Sequence, residues 1–153
     1  GPAADVATAG VRALRAAWGL SGADGRARPA IAAAWGCSEP PCSFGQEVCE
    51  GALRSAAAMG YEPLWNHSVD AMNLAGQIHV LKALDLDAFV GCGSLEDAVA
   101  IAAFARALDF APRAMLLAHA TEAAFVRAVG AANANYLLSP VAWDPGVGGA
   151  GGQ

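Results

Sequence analysis

Short runs of apolar residues alternate along this chain with segments in which apolar positions recur at helical spacing. The apolar runs are predicted to be strands, because their length and their glycine or proline boundaries are typical of buried parallel strands. The predicted strands are residues 29–35, 61–67, 87–90, 114–118 and 135–138. The predicted helices are residues 5–18, 44–59, 74–84, 95–108 and 122–129.

The order of these elements is one helix, four strand–helix units and a last strand. Strands that are apolar throughout and alternate with helices are typical of a parallel sheet covered on both faces. Right-handed crossovers then give a doubly wound, three-layer α/β/α domain with about five mostly parallel strands. The predicted lobe spans residues 3–145. Residues 1–2 match the scar that protease removal of a tag leaves, and the glycine-rich residues 146–153 are predicted to be a flexible tail.

Composition narrows the class of protein. The chain has 153 residues, of which 56% are hydrophobic and 15% are charged, so one folded domain is expected rather than a disordered segment. The net charge is -5 and the basic residues are scattered, which argues against a nucleic-acid partner. No apolar run reaches the roughly 18 residues of a membrane helix, so no direct membrane insertion is expected in this segment.

Ligands of parallel α/β sheets bind outside the carboxyl ends of the strands. The central candidate there is the stretch 88–97, in which an apolar strand runs into the turn Gly91-Cys92-Gly93. Ser94 is predicted to cap the following helix, whose first turn is acidic. The other candidate residues at this edge are Ser38, Glu39, Phe44, His119 and Trp143.

The residues of this turn and of its neighbouring loops can be compared with those that a nucleotide site, a catalytic cysteine or a metal site requires. A nucleotide site is not predicted, because the turn lacks the third glycine of the dinucleotide fingerprint and has no neighbouring Arg or Lys. Cys92 and His119 end consecutive strands, so a Cys-dependent hydrolase with Glu39 as the orienting carboxylate is an alternative. The residues around Cys92 do not form a nucleophile elbow, which weakens that alternative. The histidines show no metal-ligand spacing, and neither a metal nor a cofactor is predicted.

Cys37 and Cys42 bracket a short loop that contains two prolines. A disulfide between them would suit an extracytoplasmic domain. The alternative is that the cysteines are unpaired small hydrophobic residues at strand and helix ends. The spacing of Cys37, Cys42 and Cys49 fits no zinc signature.

Six collinear segments carry a family resemblance: residues 43–52, 56–63, 86–93, 105–114, 124–126 and 138–145. In their order and spacing they resemble one lobe of a type 1 periplasmic-binding-protein domain, of the kind that binds Leu, Ile and Val. The resemblance covers most of residues 5–145. Receptor ectodomains share this fold, including those attached to nucleotide cyclases.

This resemblance implies a module in which two lobes close on a small ligand. Phe44 would lie over the ligand, Gly93 and Ser94 would form a ligand-facing turn, and His119 would lie in a loop that often carries a polar contact. The chain is therefore predicted to be a non-catalytic, extracytoplasmic ligand-binding or sensor domain of a receptor or solute-binding protein. A second lobe or a homodimer would complete the site. The alternative is a protein–protein interaction or dimerisation module.

Overall fold

Five parallel strands form one sheet in the computed structural model, which describes residue 12, residues 28–37, residues 42–134 and the backbone of residues 137–138. The strands are β1 (Ala30–Gly36), β2 (Glu62–Val69), β3 (Ala88–Cys92), β4 (Ala114–Leu117) and β5 (Leu137–Leu138). Their spatial order is β2-β1-β3-β4-β5, and every neighbouring pair is parallel.

Helices cover both faces of this sheet. Within the part of the chain that the structure describes, the helices that follow β1 are α1 (Ser43–Ala58), α2 (Leu74–Ala83), α3 (Leu95–Ala107), α4 (Ala123–Val129) and α5 (Ala131–Ala134). Buried residues of α1 pack on one face of the sheet, and buried residues of α2, α3 and α4 pack on the other. The three-layer α/β/α fold predicted from the sequence is therefore confirmed.

The central strands are buried on both faces, as their apolar runs predicted. Successive residues of a strand point to opposite faces, and in β1 Ile31 packs with the α1 side while Ala32 packs with the α2–α3 side. In β3, Val90 faces α1 and Phe89 faces the other layer, where its ring meets Phe110 edge-on. Two separate apolar clusters follow from this alternation, one on each side of the sheet.

The strand β2 is more exposed than the buried strand predicted from the sequence, because it lies at the edge of the sheet. Among the described strands it pairs with β1 alone, and all of its residues except Val69 are exposed or half-buried. Pro63 lies near its start, and the register shifts between Ile31 and Ala32 of β1, which leaves Leu64 without a register partner. Prolines and bulges of this kind are typical of edge strands, because they interrupt the row of backbone groups that a further strand would pair with.

The other differences are local. The strand β3 continues through Cys92, so Gly91 and Cys92 belong to the sheet rather than to the turn. The helix α4 begins at Ala123, one residue later than predicted, with Glu122 immediately before it, and the short helix α5 was not predicted. The predictions for residues 1–2, 135–136 and 146–153, and for residues 5–18 apart from residue 12, lie outside the described residues. None of the described helices is long and apolar enough to span a membrane.

Candidate functional site

The direction in which successive strands are added reverses at β1. The next strand along the chain, β2, lies on one side of β1, and β3 lies on the other side. In open α/β sheets such a switch point opens a crevice outside the carboxyl ends of the strands. A cavity of about 370 Å³ lies at this place, and we call it the switch-point cavity. Its described lining residues are Gly36, Phe44, Gly45, Gly93, Ser94, Leu95, Asp97, His119 and Glu122.

A reciprocal pair of hydrogen bonds caps α3 at the floor of this cavity. The backbone N–H of Asp97 donates to Ser94 Oγ at 3.2 Å, and the backbone N–H of Ser94 donates to Asp97 Oδ2 at 3.0 Å. The Ser94 hydroxyl also donates to Asp97 Oδ2 at 3.0 Å. This is a capping box with Asp in the position usually held by Glu or Gln. It satisfies donors at the helix start and fixes the Asp97 carboxylate beside the strand ends.

Glycines at the strand ends leave room for that carboxylate. A Cβ atom on Gly36 would lie 2.0 Å from Asp97 Cγ, and one on Gly93 would lie 2.5 Å from Asp97 Oδ2. Gly93 also has a φ of +136°, which a side chain would strain. A Cβ atom on Gly45, at the start of α1, would already touch Gly36 O and Trp35 Cβ at 3.4 Å. Gly36 and Gly93 therefore leave the space that the Asp97 side chain occupies, and Gly45 packs at ordinary contact distance from the end of β1.

His119 connects the loop after β4 to the turn after β3. Its Nδ1 lies 2.5 Å from Glu122 Oε1, and its Nε2 lies 3.2 Å from the carbonyl oxygen of Gly93. Both ring nitrogens therefore face hydrogen-bond acceptors. The backbone of His119 is left-handed, with a φ of +67°, which is uncommon for a residue with a side chain. The ring thus forms a brace on one wall of the cavity, held on a strained backbone.

This geometry predicts different effects for two substitutions at one position. Both His119→Ala and His119→Gly remove the brace, but glycine adopts the left-handed backbone without the steric cost that alanine retains. We expect His119→Gly to be more stable than His119→Ala by about 1 kcal/mol in urea unfolding. Equal stability of the two variants would show that the left-handed backbone is not maintained when the ring is absent.

Phe44 forms another wall, at the start of α1. Its side chain is 59% exposed although the residue is a large aromatic. Gly45, the next residue, is buried against the end of β1, so the helix start is held close to the strands while the ring remains accessible. An accessible aromatic ring at the rim of a cavity is a common feature of small-molecule sites.

The structure brings together four of the candidate residues chosen from the sequence: Phe44, Gly93, Ser94 and His119. Ser38, Glu39 and Trp143 lie outside the described residues. Sequence reasoning placed Asp97 within the candidate stretch 88–97 but did not select it as a site residue, and it missed Glu122 as a lining residue. A signal was present for each, because Asp97 completes a Ser-x-x-Asp capping pattern with Ser94, and Glu122 follows His119 by three residues.

All four cysteines form disulfides. Cys37 is bonded to Cys42, with their Cα atoms 4.8 Å apart, and Cys49 of α1 is bonded to Cys92 at the end of β3, with a Cα–Cα distance of 5.9 Å. The Cys49–Cys92 bond was not predicted, and it contradicts the alternative of a Cys-dependent hydrolase that uses Cys92 and His119. That alternative needs a free Cys92 thiolate near His119, whereas the Cys92 sulfur is bonded to Cys49 and the residue is buried.

A second cavity, of about 280 Å³, lies on the other side of Asp97, between the end of β2 and the starts of α2 and α3. Its wall is largely apolar, from Val69, Leu74 and Phe104, and Asp70 lies at its polar side. The Asp70 carboxylate accepts hydrogen bonds from the backbone N–H groups of Met72 and Asn73. Among the described residues, no group of three potential metal ligands could hold a metal ion.

Solved structures of other proteins share this fold, but no match identifies the family of the chain. The chain is similar to Rp1789 of Rhodopseudomonas palustris, with 16% identity and a TM-score of 0.69 over 91% of this chain. It is also similar to a structure described as an ABC transporter permease from the Pseudomonas fluorescens group, with 17% identity and a TM-score of 0.65 over 90% of this chain. It spans only 36% and 32% of those two chains. No family model and no curated protein matches the sequence.

Proposed function

We propose that this chain is one lobe of a small-ligand-binding domain of the periplasmic-binding-protein type, and that the switch-point cavity is its part of the binding site. The observation that carries this proposal is the cavity itself. It lies outside the carboxyl ends of β1 and β3, and an accessible aromatic ring, an imidazole and a carboxylate line it. Binding, rather than catalysis, is the role that suits these groups, because Cys92 is held in a disulfide.

Two further observations support a lobe of this type. The chain spans about a third of each of the two similar structures, which leaves room in a longer protein for a second lobe opposite the cavity. One of those two proteins is described as an ABC transporter permease, which agrees with solute handling. Two disulfides in the chain also favour an extracytoplasmic location, since disulfides persist in oxidising compartments.

A thermal-shift screen of small polar compounds tests this proposal. A ligand that binds the folded chain at 100 times its Kd stabilises it by about 2.7 kcal/mol, which for a domain of this size raises Tm by roughly 5–10 °C. We expect Phe44→Ala to weaken the binding of such a ligand about fivefold or more, because the ring is an accessible wall of the cavity.

The matched control is Val80→Ala, which removes an exposed apolar side chain from α2, away from the cavity. This variant is expected to bind the ligand as the unaltered chain does. A ligand whose affinity falls with Val80→Ala but not with Phe44→Ala would place binding elsewhere and contradict the proposal.

An interaction or dimerisation module is the second candidate, and exposed apolar residues on the α2 side favour it. Met72, just before α2, is 94% exposed, and Val80 on α2 is 47% exposed. Exposed apolar side chains give a docking partner apolar surface to bury. This candidate predicts a molecular size that rises with protein concentration and falls again with Met72→Ser, measured by analytical ultracentrifugation without any added ligand.

A further inference from the structure

Among the described residues that line the switch-point cavity, the Asp and Glu side chains face no Lys or Arg. These acidic lining residues are Asp97 and Glu122. The neighbouring second cavity shows the same pattern, with Asp70, Glu96 and Asp97 and no described Lys or Arg. An anion that entered from this edge would meet carboxylates at close range without an opposing cation, apart from the His119 ring.

Three donors at the start of α3, where an anion could bind, are already engaged within the capping box. The start of a helix commonly binds phosphate or carboxylate through backbone N–H groups. At the start of α3, the Ser94 N–H and the Ser94 hydroxyl both donate to Asp97 Oδ2, and the Asp97 N–H donates to Ser94 Oγ. The protein's own carboxylate therefore occupies the place of an anionic ligand, and it adds a negative charge to the cavity floor.

The groups that remain accessible suit a cation. The Glu122 side chain is 50% exposed, and its Oε1 is fixed by the contact with His119 Nδ1. The Phe44 ring, which is also accessible, provides a π face. An ammonium group is bound both by carboxylates and by the faces of aromatic rings, and the two interactions are compatible in one site.

We propose that the switch-point cavity binds the ammonium group of a small organic cation and discriminates against carboxylate and phosphate ligands. The ammonium group pairs with the Glu122 carboxylate, and the Phe44 ring contacts the cation through its π face. This inference rests on the proposed function and deepens it, because it names the charge of the ligand that the cavity selects.

Three probes of the same length test the inference: butylammonium, butanol and butyrate, which differ in the charge of one end. Each is titrated into the ¹⁵N-labelled chain while the amide resonances of Phe44, Gly93 and Glu122 are followed by NMR. We expect butylammonium to shift these resonances saturably and with the highest affinity. Glu122→Gln should weaken butylammonium binding about three- to fivefold and leave butanol unaffected, as expected for one partly exposed ion pair.

The control variant is Glu62→Gln, which removes an exposed carboxylate at the amino end of β2. The cavity lies at the opposite, carboxyl ends of the strands. It should leave all three titrations unchanged. Glu122→Lys, which reverses the charge at the cavity, should bring butyrate affinity above that of butylammonium. If butyrate binds the unaltered cavity as tightly as butylammonium, the charge inference fails while the binding site stands. If none of the probes shifts the cavity resonances, both the inference and the proposed function fail.

Discussion

Replacing Cys49 and Cys92 together by alanine is expected to lower the free energy of unfolding by about 4 kcal/mol. The two residues are separated by 43 positions, so their bond closes a long loop and removes much of the freedom of the unfolded chain. The bond also joins α1 to the end of β3, and both residues are buried in the cluster on the α1 side of the sheet. Urea unfolding of the oxidised chain and of the double variant measures the difference.

The matched control is the double variant Cys37→Ala with Cys42→Ala. This bond closes a loop with a sequence separation of only 5, for which chain entropy predicts a loss of about 2 kcal/mol. The order of the two losses is the informative result. If removing the short bridge destabilises the chain as much as removing the long one, the long bond does not restrict the unfolded chain as the structure implies.

Gly36→Ala is expected to destabilise the chain by about 2–4 kcal/mol. The new Cβ would overlap the Asp97 carboxyl group, which would have to leave its place between the ends of β1 and β3. The bonds that Asp97 forms with Ser94 would then be lost, together with the cap of α3. Unfolding in urea gives the loss of stability, and the resonances of Ser94 and Asp97 report the loss of the capping box.

Two variants separate this clash from a general intolerance of alanine. Gly76→Ala lies in α2 with no atom within 4 Å of the added Cβ, and it should stabilise the chain by about 0.5–1 kcal/mol. In the double variant with Asp97→Gly, Gly36→Ala should be much less harmful, because its obstacle is gone. An undiminished loss in that background would show that the clash lies elsewhere.

The order of the strands and helices could be predicted because each depends on a local pattern. Buried strands such as β1 and β3 are continuous apolar runs, and Ser94 with the acidic residues after it indicates the start of α3. The polar residues of β2 and its Pro63 are typical of an edge strand, but this signal was not used and the exposure of β2 was not predicted. The place of β2 at one end of the sheet follows from the spatial order of all five strands.

In the candidate site, too, some residues could be predicted from local sequence and others depend on tertiary structure. Phe44, Gly93, Ser94 and His119 were found because loops after parallel strands meet at one edge. Asp97 and Glu122 were not selected as site residues because acidic residues at helix starts are usual and do not by themselves indicate a cavity. Their place in the cavity depends on how the starts of α3 and α4 pack beside the ends of β1 and β3, which is a property of tertiary structure.

The Cys49–Cys92 bond was missed for a related reason. Cys49 is the seventh residue of α1 and Cys92 is the last residue of β3. No spacing rule relates two such positions, since their distance is set by how α1 packs on the sheet. An even number of cysteines is compatible with disulfides but does not determine their pairing.

The Cys49–Cys92 bond also makes part of the chain a covalent ring that contains β2 and α2. Lys82, the single lysine of the sequence, lies inside this ring, at an exposed position near the end of α2. A lysine-specific protease that cut there would open the ring without releasing a fragment. The two pieces would stay joined through the Cys49–Cys92 bond and would separate only when that bond is reduced.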